Sequence, residues 1–235
     1  MIQVSAANSP WRAQGPAWTW GHAAARFVRH HNAWILLGAL AVTAVGRASA
    51  GAIGWADLVV AAAFVAFQPF QEWLIHVYIL HWRPRRVGGI TIDFELARRH
   101  RHHHTDPGDL RVGFMPTQTL VLAGLGHALA WPLLMPTDSL AWTALLMVAT
   151  VGLVYEWTHF VIHTSVVPRN AWVQRVFRYH RLHHFKNENY WMGVTMHLGD
   201  RLLGTLADQR AVPASPTARD LAKAVGAAPT EVRVA

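Results

Sequence analysis

Long apolar runs alternate along this chain with short polar and basic stretches. Four runs stand out: Ala33 to about Val45, Ala56 to about Leu80, Pro116 to Met135, and Leu140 to about Ile162. A spanning helix needs about 20 apolar residues. The second, third and fourth runs reach that length with their polar ends included. The first is short and reads as tilted, re-entrant or extended through Ala50. Pro69 lacks the N–H that the helical ladder needs, which predicts a kink in the second run. Only Pro136, Thr137, Asp138 and Ser139 separate the third run from the fourth, which predicts an antiparallel helical hairpin. The fold class predicted is all-α, an integral membrane protein of about four spans capped by a cytoplasmic helical region. Residues 1–32 form an N-terminal interfacial segment, 33–206 the membrane domain, and 207–235 a mobile tail with a short helix near Asp220–Val225. Two polar stretches, Thr91 to His104 and residues 168–186, read as helices lying on the membrane face. Thr105-Asp106-Pro107-Gly108 stops the first.

Charge supports the spans and orients them. Of the 21 Lys and Arg residues, 20 fall within 1–32, 82–115 and 163–235, and only Arg47 falls between the first two runs. Four crossings put those three regions on one side, which the positive-inside rule makes cytoplasmic; the expected location is a bacterial inner membrane. Charged residues make up 14% of the chain against roughly 25% in soluble domains, so a buried helical core in a soluble protein is disfavoured. A net charge of +8 suits an anionic membrane surface, and no nucleic-acid partner is expected. The first 32 residues lack the apolar core of a cleavable signal. Without cysteine, any metal must rest on His, Asp or Glu.

Sixteen histidines change the picture most. Ten fall into four boxes: His76 and His81; His100, His103 and His104; His159 and His163; His180, His183 and His184. The second and fourth runs end on the same side, and each leads into an H-x-x-H-H box, so all four boxes can meet at one membrane face. Positions three and four apart share a helical face, which makes each triplet converge. His76 and His81 are five apart, so the helix must end or bulge there. Ten neutral imidazoles exceed what one ion takes and suit two ions with four or five each. Imidazole accepts zinc, copper, iron or nickel, so ligand type leaves the metal open. Glu72 and Glu156 lie one turn before His76 and His159. They are candidates to orient metal-bound imidazoles; the alternative is an interfacial carboxylate satisfied by an arginine. His197 is within chain reach of the site, whereas His22, His30, His31, His102 and His127 fall off the box pattern.

These boxes, with the stretch YHRLHHFKNENYWMGVTMHLGDRLLGT from Tyr179 to Thr205, resemble the fatty acid hydroxylase/sterol desaturase superfamily over roughly residues 60–206. The order of boxes is most similar to the fatty acid 2-hydroxylase branch. The resemblance implies a membrane enzyme whose two iron ions are held by the ten histidines, with zinc able to replace iron on isolation. It implies O2 as co-substrate, a lipid substrate (fatty acyl chain, sphingolipid, sterol or carotenoid) and an external electron donor of cytochrome b5 or ferredoxin type. Asp200, in the signature's ending, joins Glu72 and Glu156 as a candidate to support the ligands. No side chain is expected to act catalytically beyond the metal-binding histidines. Some 2-hydroxylases carry a cytochrome b5 domain; no His-Pro-Gly-Gly haem motif occurs in this sequence.

The expected reaction is hydroxylation of an unactivated C–H bond, with desaturation on the same centre as the alternative. A membrane zinc hydrolase is less favoured because H-E-x-x-H is absent. A metal transporter would place its ligands near the midplane. Trp73, Trp157 and Phe160 either line an apolar slot or simply pack. Arg98, Arg99, Arg178 and Arg181 either hold an anionic group or acidic redox partner, or anchor to phospholipid.

Overall fold

The computed structural model describes residues 17–221; the expectations for 1–16 and 222–235 lie outside it. In chain order the helices are α1 (Trp20–Phe27), α2 (His31–Ser49), α3 (Trp55–Ile75), α4 (Glu95–Thr105), α5 (Thr117–Leu134), α6 (Asp138–Ile162), α7 (Ala171–Phe185) and α8 (Leu198–Leu202). One antiparallel hairpin, β1 (Arg85–Val87) and β2 (Ile90–Ile92), sits between α3 and α4. Among the described residues the fold is thus mostly helical, with this one departure from all-α. Thr91 and Ile92, expected in a helix, pair with Arg86 and Arg85 instead. Gly88 and Gly89 adopt φ of 56° and 85°, and two positive-φ residues between two paired runs close a hairpin rather than start a helix.

Among the described residues, three helices are long and apolar enough to cross a membrane: His31–Ser49, Trp55–Leu80 and Asp138–Ile162. The first run therefore extends past Val45 to Ser49. Helix α6 is central, with α2, α3 and α5 packed against it. Helices α5 and α6 form the expected hairpin, and Thr137 caps α6 by accepting from the Leu140 amide at 3.3 Å. Outward faces of the long helices carry Leu58, Val65 and Leu129, all exposed and none of them lining the cavity described below, as lipid contact requires. Arg47, alone between the first two runs, is buried rather than free. Its guanidinium pairs with Asp57 at 2.8 Å and donates to Thr143 and to the Gly51 carbonyl, which ties α2, α3 and α6 together.

Helix α3 continues through Pro69 and ends in a π-turn, His76–Leu80, closed by the His81 amide donating to the His76 carbonyl at 3.0 Å. The widened turn brings residues five apart towards one side, which answers the spacing problem of the first box. Gly199 of α8 lies against the Pro69 carbonyl, where a Cβ would come within 2.3 Å. Only glycine lets α8 dock on α3 this closely.

Beside the histidine boxes lies an aromatic core. Phe27 of α1 meets Phe114, Trp157 and Phe160 at centroid distances of 5.3–5.6 Å. Residues 207–221, assigned to a tail by the sequence, pack onto the protein and bury Val212, Ala218 and Leu221.

Candidate metal centre

The ten box histidines gather into two groups of five. His76, His81, His100, His104 and His183 form the first; His103, His159, His163, His180 and His184 form the second. Within each, the candidate ligand atoms lie within 4.8 Å of one another. The triplets do not converge as units. In each H-x-x-H-H box the outer pair, four residues apart, enters one group and the middle histidine enters the other. The groups adjoin, with the rings of His104 and His184 stacked at 4.1 Å.

Nitrogen positions fit a cation. The Nε2 atom of His100 lies 3.1 Å from Nε2 of both His76 and His104. The Nε2 atom of His103 lies 3.1 Å from that of His159 and 3.0 Å from that of His163. Nitrogens about 2.1 Å from a shared ion stand roughly 3 Å apart when at right angles. Backbone carbonyls fix the tautomers of four rings. The Nδ1–H groups of His76, His104, His159 and His183 donate to the carbonyls of Met192, Ala218, Gly113 and Tyr190 at 2.5, 2.8, 2.9 and 2.9 Å. A carbonyl only accepts, so each of these Nε2 atoms keeps its lone pair for a ligand role. Several buried ring nitrogens, including His81 Nε2 and His183 Nε2, have no protein partner. Burial, and then the charge on neighbouring imidazoles, holds His100, His103, His180 and His184 well below the ordinary histidine range. Neutral imidazole is the form that binds metal.

The carboxylates act one bond further out than expected, holding the loops whose carbonyls take the ring protons. Glu72 accepts from the Val194 and Thr195 amides and the Thr195 hydroxyl at 3.3, 3.1 and 2.6 Å. Asp200 accepts from the Met192 and Gly193 amides at 2.7 and 2.8 Å. Glu156 accepts from the Met115 amide at 2.9 Å, two residues beyond the Gly113 carbonyl. No arginine pairs with Glu72 or Glu156 among the described residues. Between the Tyr190 and Met192 carbonyls sits Trp191, fully buried, at φ 58°. That left-handed conformation is unusual for a bulky residue, and its amide and indole donate to the Thr205 and Ala207 carbonyls. The carbonyl partners carry no side-chain signature, so the sequence reading missed them. Asn32 and Gln68, which hydrogen-bond to Glu156 and Glu72, were missed as well.

Other candidates fall outside the groups. His197 contacts Asp200 at 3.2 Å and stands edge-on to Tyr179. His102 is exposed, and His30 stacks on Phe114 at 3.8 Å. Trp73 donates to Thr205, while Trp157 and Phe160 belong with the Phe27 cluster. None of these three lines the large cavity. Arg181 donates to the Ile162 and Thr164 carbonyls, Arg178 lies over Tyr179, and Arg99 reaches the cavity edge. Arg98 is exposed beside Asp93.

That cavity, of about 1380 Å³, lies among α2, α3, α5 and α6 and is walled almost entirely by apolar side chains. Its lining reaches His76, His100, His103 and His159 at one end and Trp142 and Asp138 at the other. From Trp142 to His159, α6 rises about 26 Å.

The fatty acid hydroxylase family model matches residues 61–205. The chain belongs to the fatty acid hydroxylase family. Two relatives in Arabidopsis thaliana, the dihydroceramide fatty acyl 2-hydroxylases FAH1 and FAH2, are 29% and 31% identical over 60% and 57% of this chain. The fatty acid 2-hydroxylase of Homo sapiens is 22% identical over 59% of this chain and 37% of its own length. These relatives lie in the 2-hydroxylase branch that the box order resembles. The chain spans 58% and 55% of the plant relatives' length. The hydroxylase domain visible in full-length scs7p shares the fold, with a TM-score of 0.59 at 20% identity, covering 85% of this chain and 70% of that one. Family membership, the apolar helices and the histidine groups make this a membrane protein of metal-binding type.

Proposed function

We propose that the chain is a membrane-bound, O2-dependent di-iron oxygenase that hydroxylates a C–H bond of a lipid acyl chain. One observation carries this reading: a long apolar cavity ends on two adjoining groups of five imidazoles, all buried except the half-buried His81 and His163. His76, His81, His100, His104 and His183 would hold one iron, and His103, His159, His163, His180 and His184 the other. Bound iron supplies O2 activation and abstraction of hydrogen from an unactivated carbon, which no acid–base side chain achieves. The chain's own residues do the rest. Main-chain carbonyls aim the rings, Glu72, Glu156 and Asp200 pin the loops that carry those carbonyls, and the cavity walls bind the acyl chain and exclude water. Reducing equivalents come from an external cytochrome b5-like or ferredoxin-like donor.

In this reading α5 is a fourth crossing. It is 18 residues long, buries no residue against the protein and exposes Leu122, Leu125, Leu129 and Leu133. The histidine groups then lie on the cytoplasmic side, where the arginines concentrate.

The test has two arms. Cells expressing the chain should accumulate a lipid heavier by one oxygen than in cells without it, and protein grown with iron should carry about two irons per chain. A product lacking two hydrogens selects desaturation on the same centre. Zinc-only protein whose activity is independent of O2 sinks the oxygenase.

A further inference from the structure

Residues 208–221 lie beyond the stretch matched by the family model, yet they touch the metal centre. The Ala218 carbonyl accepts the Nδ1 proton of His104 at 2.8 Å. The same segment clamps the loop that follows α7. The Ser215 amide donates to the Lys186 carbonyl at 2.7 Å, Asn187 Nδ2 donates to the Pro213 carbonyl at 3.1 Å, and the Thr217 hydroxyl donates to Glu188. Lys186 Nζ reaches the Gln209 carbonyl, and Arg219 lies over Phe185 at 5.5 Å. That loop ends at Tyr190, whose carbonyl holds Nδ1 of His183 at 2.9 Å. His104 and His183 both belong to the first group of five. In the second group, the ring held by a carbonyl is His159, and its partner is Gly113, far from this segment in sequence.

We propose that residues 208–221 are a strap that positions two ligands of the first metal site only, so that the two sites differ in their dependence on it. The inference rests on the two-ion reading above. The strap fixes His104 directly, and His183 through the loop at 186–190. A carbonyl partner orients a metal-bound imidazole and makes its other nitrogen a better ligand, and losing such a partner typically weakens metal binding 10- to 100-fold. Ala218 is only 2% exposed, so a larger side chain there must lift the strap.

The experiment uses the full chain in detergent, loaded with ferrous iron, with iron counted per chain across a chelator titration. Three variants are compared with the parent: Ala218→Phe, a chain ending at residue 207, and Arg169→Ala, an exposed control outside the strap. The parent and Arg169→Ala should hold two irons. Ala218→Phe and the shortened chain should release one iron at 10- to 100-fold lower chelator concentration and keep the other, with helix content by circular dichroism unchanged. Adding His104→Ala to Ala218→Phe should remove no further iron, whereas adding His159→Ala should remove the second. Two irons held as tightly as in the parent, or both released together, overturns the strap. A parent chain without two irons overturns the two-ion reading itself.

Discussion

His103 and His104 are consecutive residues whose rings enter different imidazole groups. The Nε2 atom of His103 faces His159 and His163 at 3.1 and 3.0 Å, while that of His104 faces His100 at 3.1 Å. Neighbours on a helix point about 100° apart, so a single turn of α4 forms a wall between the groups. The two substitutions should therefore differ in which ion they loosen. His103→Ala should weaken the second site and His104→Ala the first, each leaving about one tightly held iron per chain and abolishing hydroxylation. Iron analysis across a chelator titration reads this directly. Equal loss of both ions from either variant contradicts the division.

Glu72 should matter through its loop rather than through a ring. Replacing it by Leu leaves the amides of Val194 and Thr195 buried without an acceptor. An unsatisfied buried donor costs about 1–3 kcal/mol. Thermal unfolding in detergent should fall accordingly, and the first site should lose affinity because Met192, two residues before Val194, holds His76. Glu72→Gln keeps one acceptor oxygen and should recover part of both effects. Full stability and metal content in Glu72→Leu would remove the carboxylate from the architecture.

Much of this was legible in the sequence. The apolar runs gave the long helices within a few residues because bilayer-length helices need one-sided or all-round apolar faces, and α5 and α6 met at the short turn the spacing required. The five-residue step from His76 to His81 announced an irregular turn, which the structure supplies as a π-turn. What stayed hidden is main-chain chemistry. Nothing marks Gly113, Tyr190, Met192 or Ala218 as partners of imidazoles, because any residue offers a carbonyl. The division of each triplet also escaped. Helical spacing says that positions 100, 103 and 104 share a broad face, but two ions side by side split that face between them. Residues 207–221 read as a tail because alanine, proline and polar residues make up most of them; their packing comes from carbonyls and a few buried side chains that composition does not reveal.

Acid should dismantle the centre within a defined window. Burial pushes His104 down to about 3 from 6.5, although the Ala218 carbonyl pulls the other way. His100, His103, His180 and His184 are lowered as well. The folded chain refuses protons that the unfolded chain accepts. This contribution to stability is therefore complete above about pH 6.5 and is lost as pH falls through the range down to 3. Each such histidine adds a slope of roughly 1.4 kcal/mol per pH unit inside that window. Melting temperature and retained iron, measured together from pH 8 to pH 4, should be flat at the alkaline end and fall jointly below about pH 6.5. A fall towards alkaline pH would contradict the neutral-imidazole centre.

The cavity should set what reaches the iron without affecting how the iron is held. Ala149 is buried on α6, lines the cavity, and sits ten residues before His159, about 15 Å along the helix. Phenylalanine there inserts a ring across the middle of the space. Overpacking of this kind costs about 1–3 kcal/mol, which a chain of this size tolerates if its other helices hold. Ala149→Phe should retain about two irons and its helix content, yet hydroxylate long acyl chains at least tenfold more slowly and shift preference towards short ones. Lipid profiles of cells carrying the variant, set against iron counts on the purified protein, separate the two effects. Unchanged long-chain product would mean that substrate does not lie along α6, and the apolar space would then need another occupant.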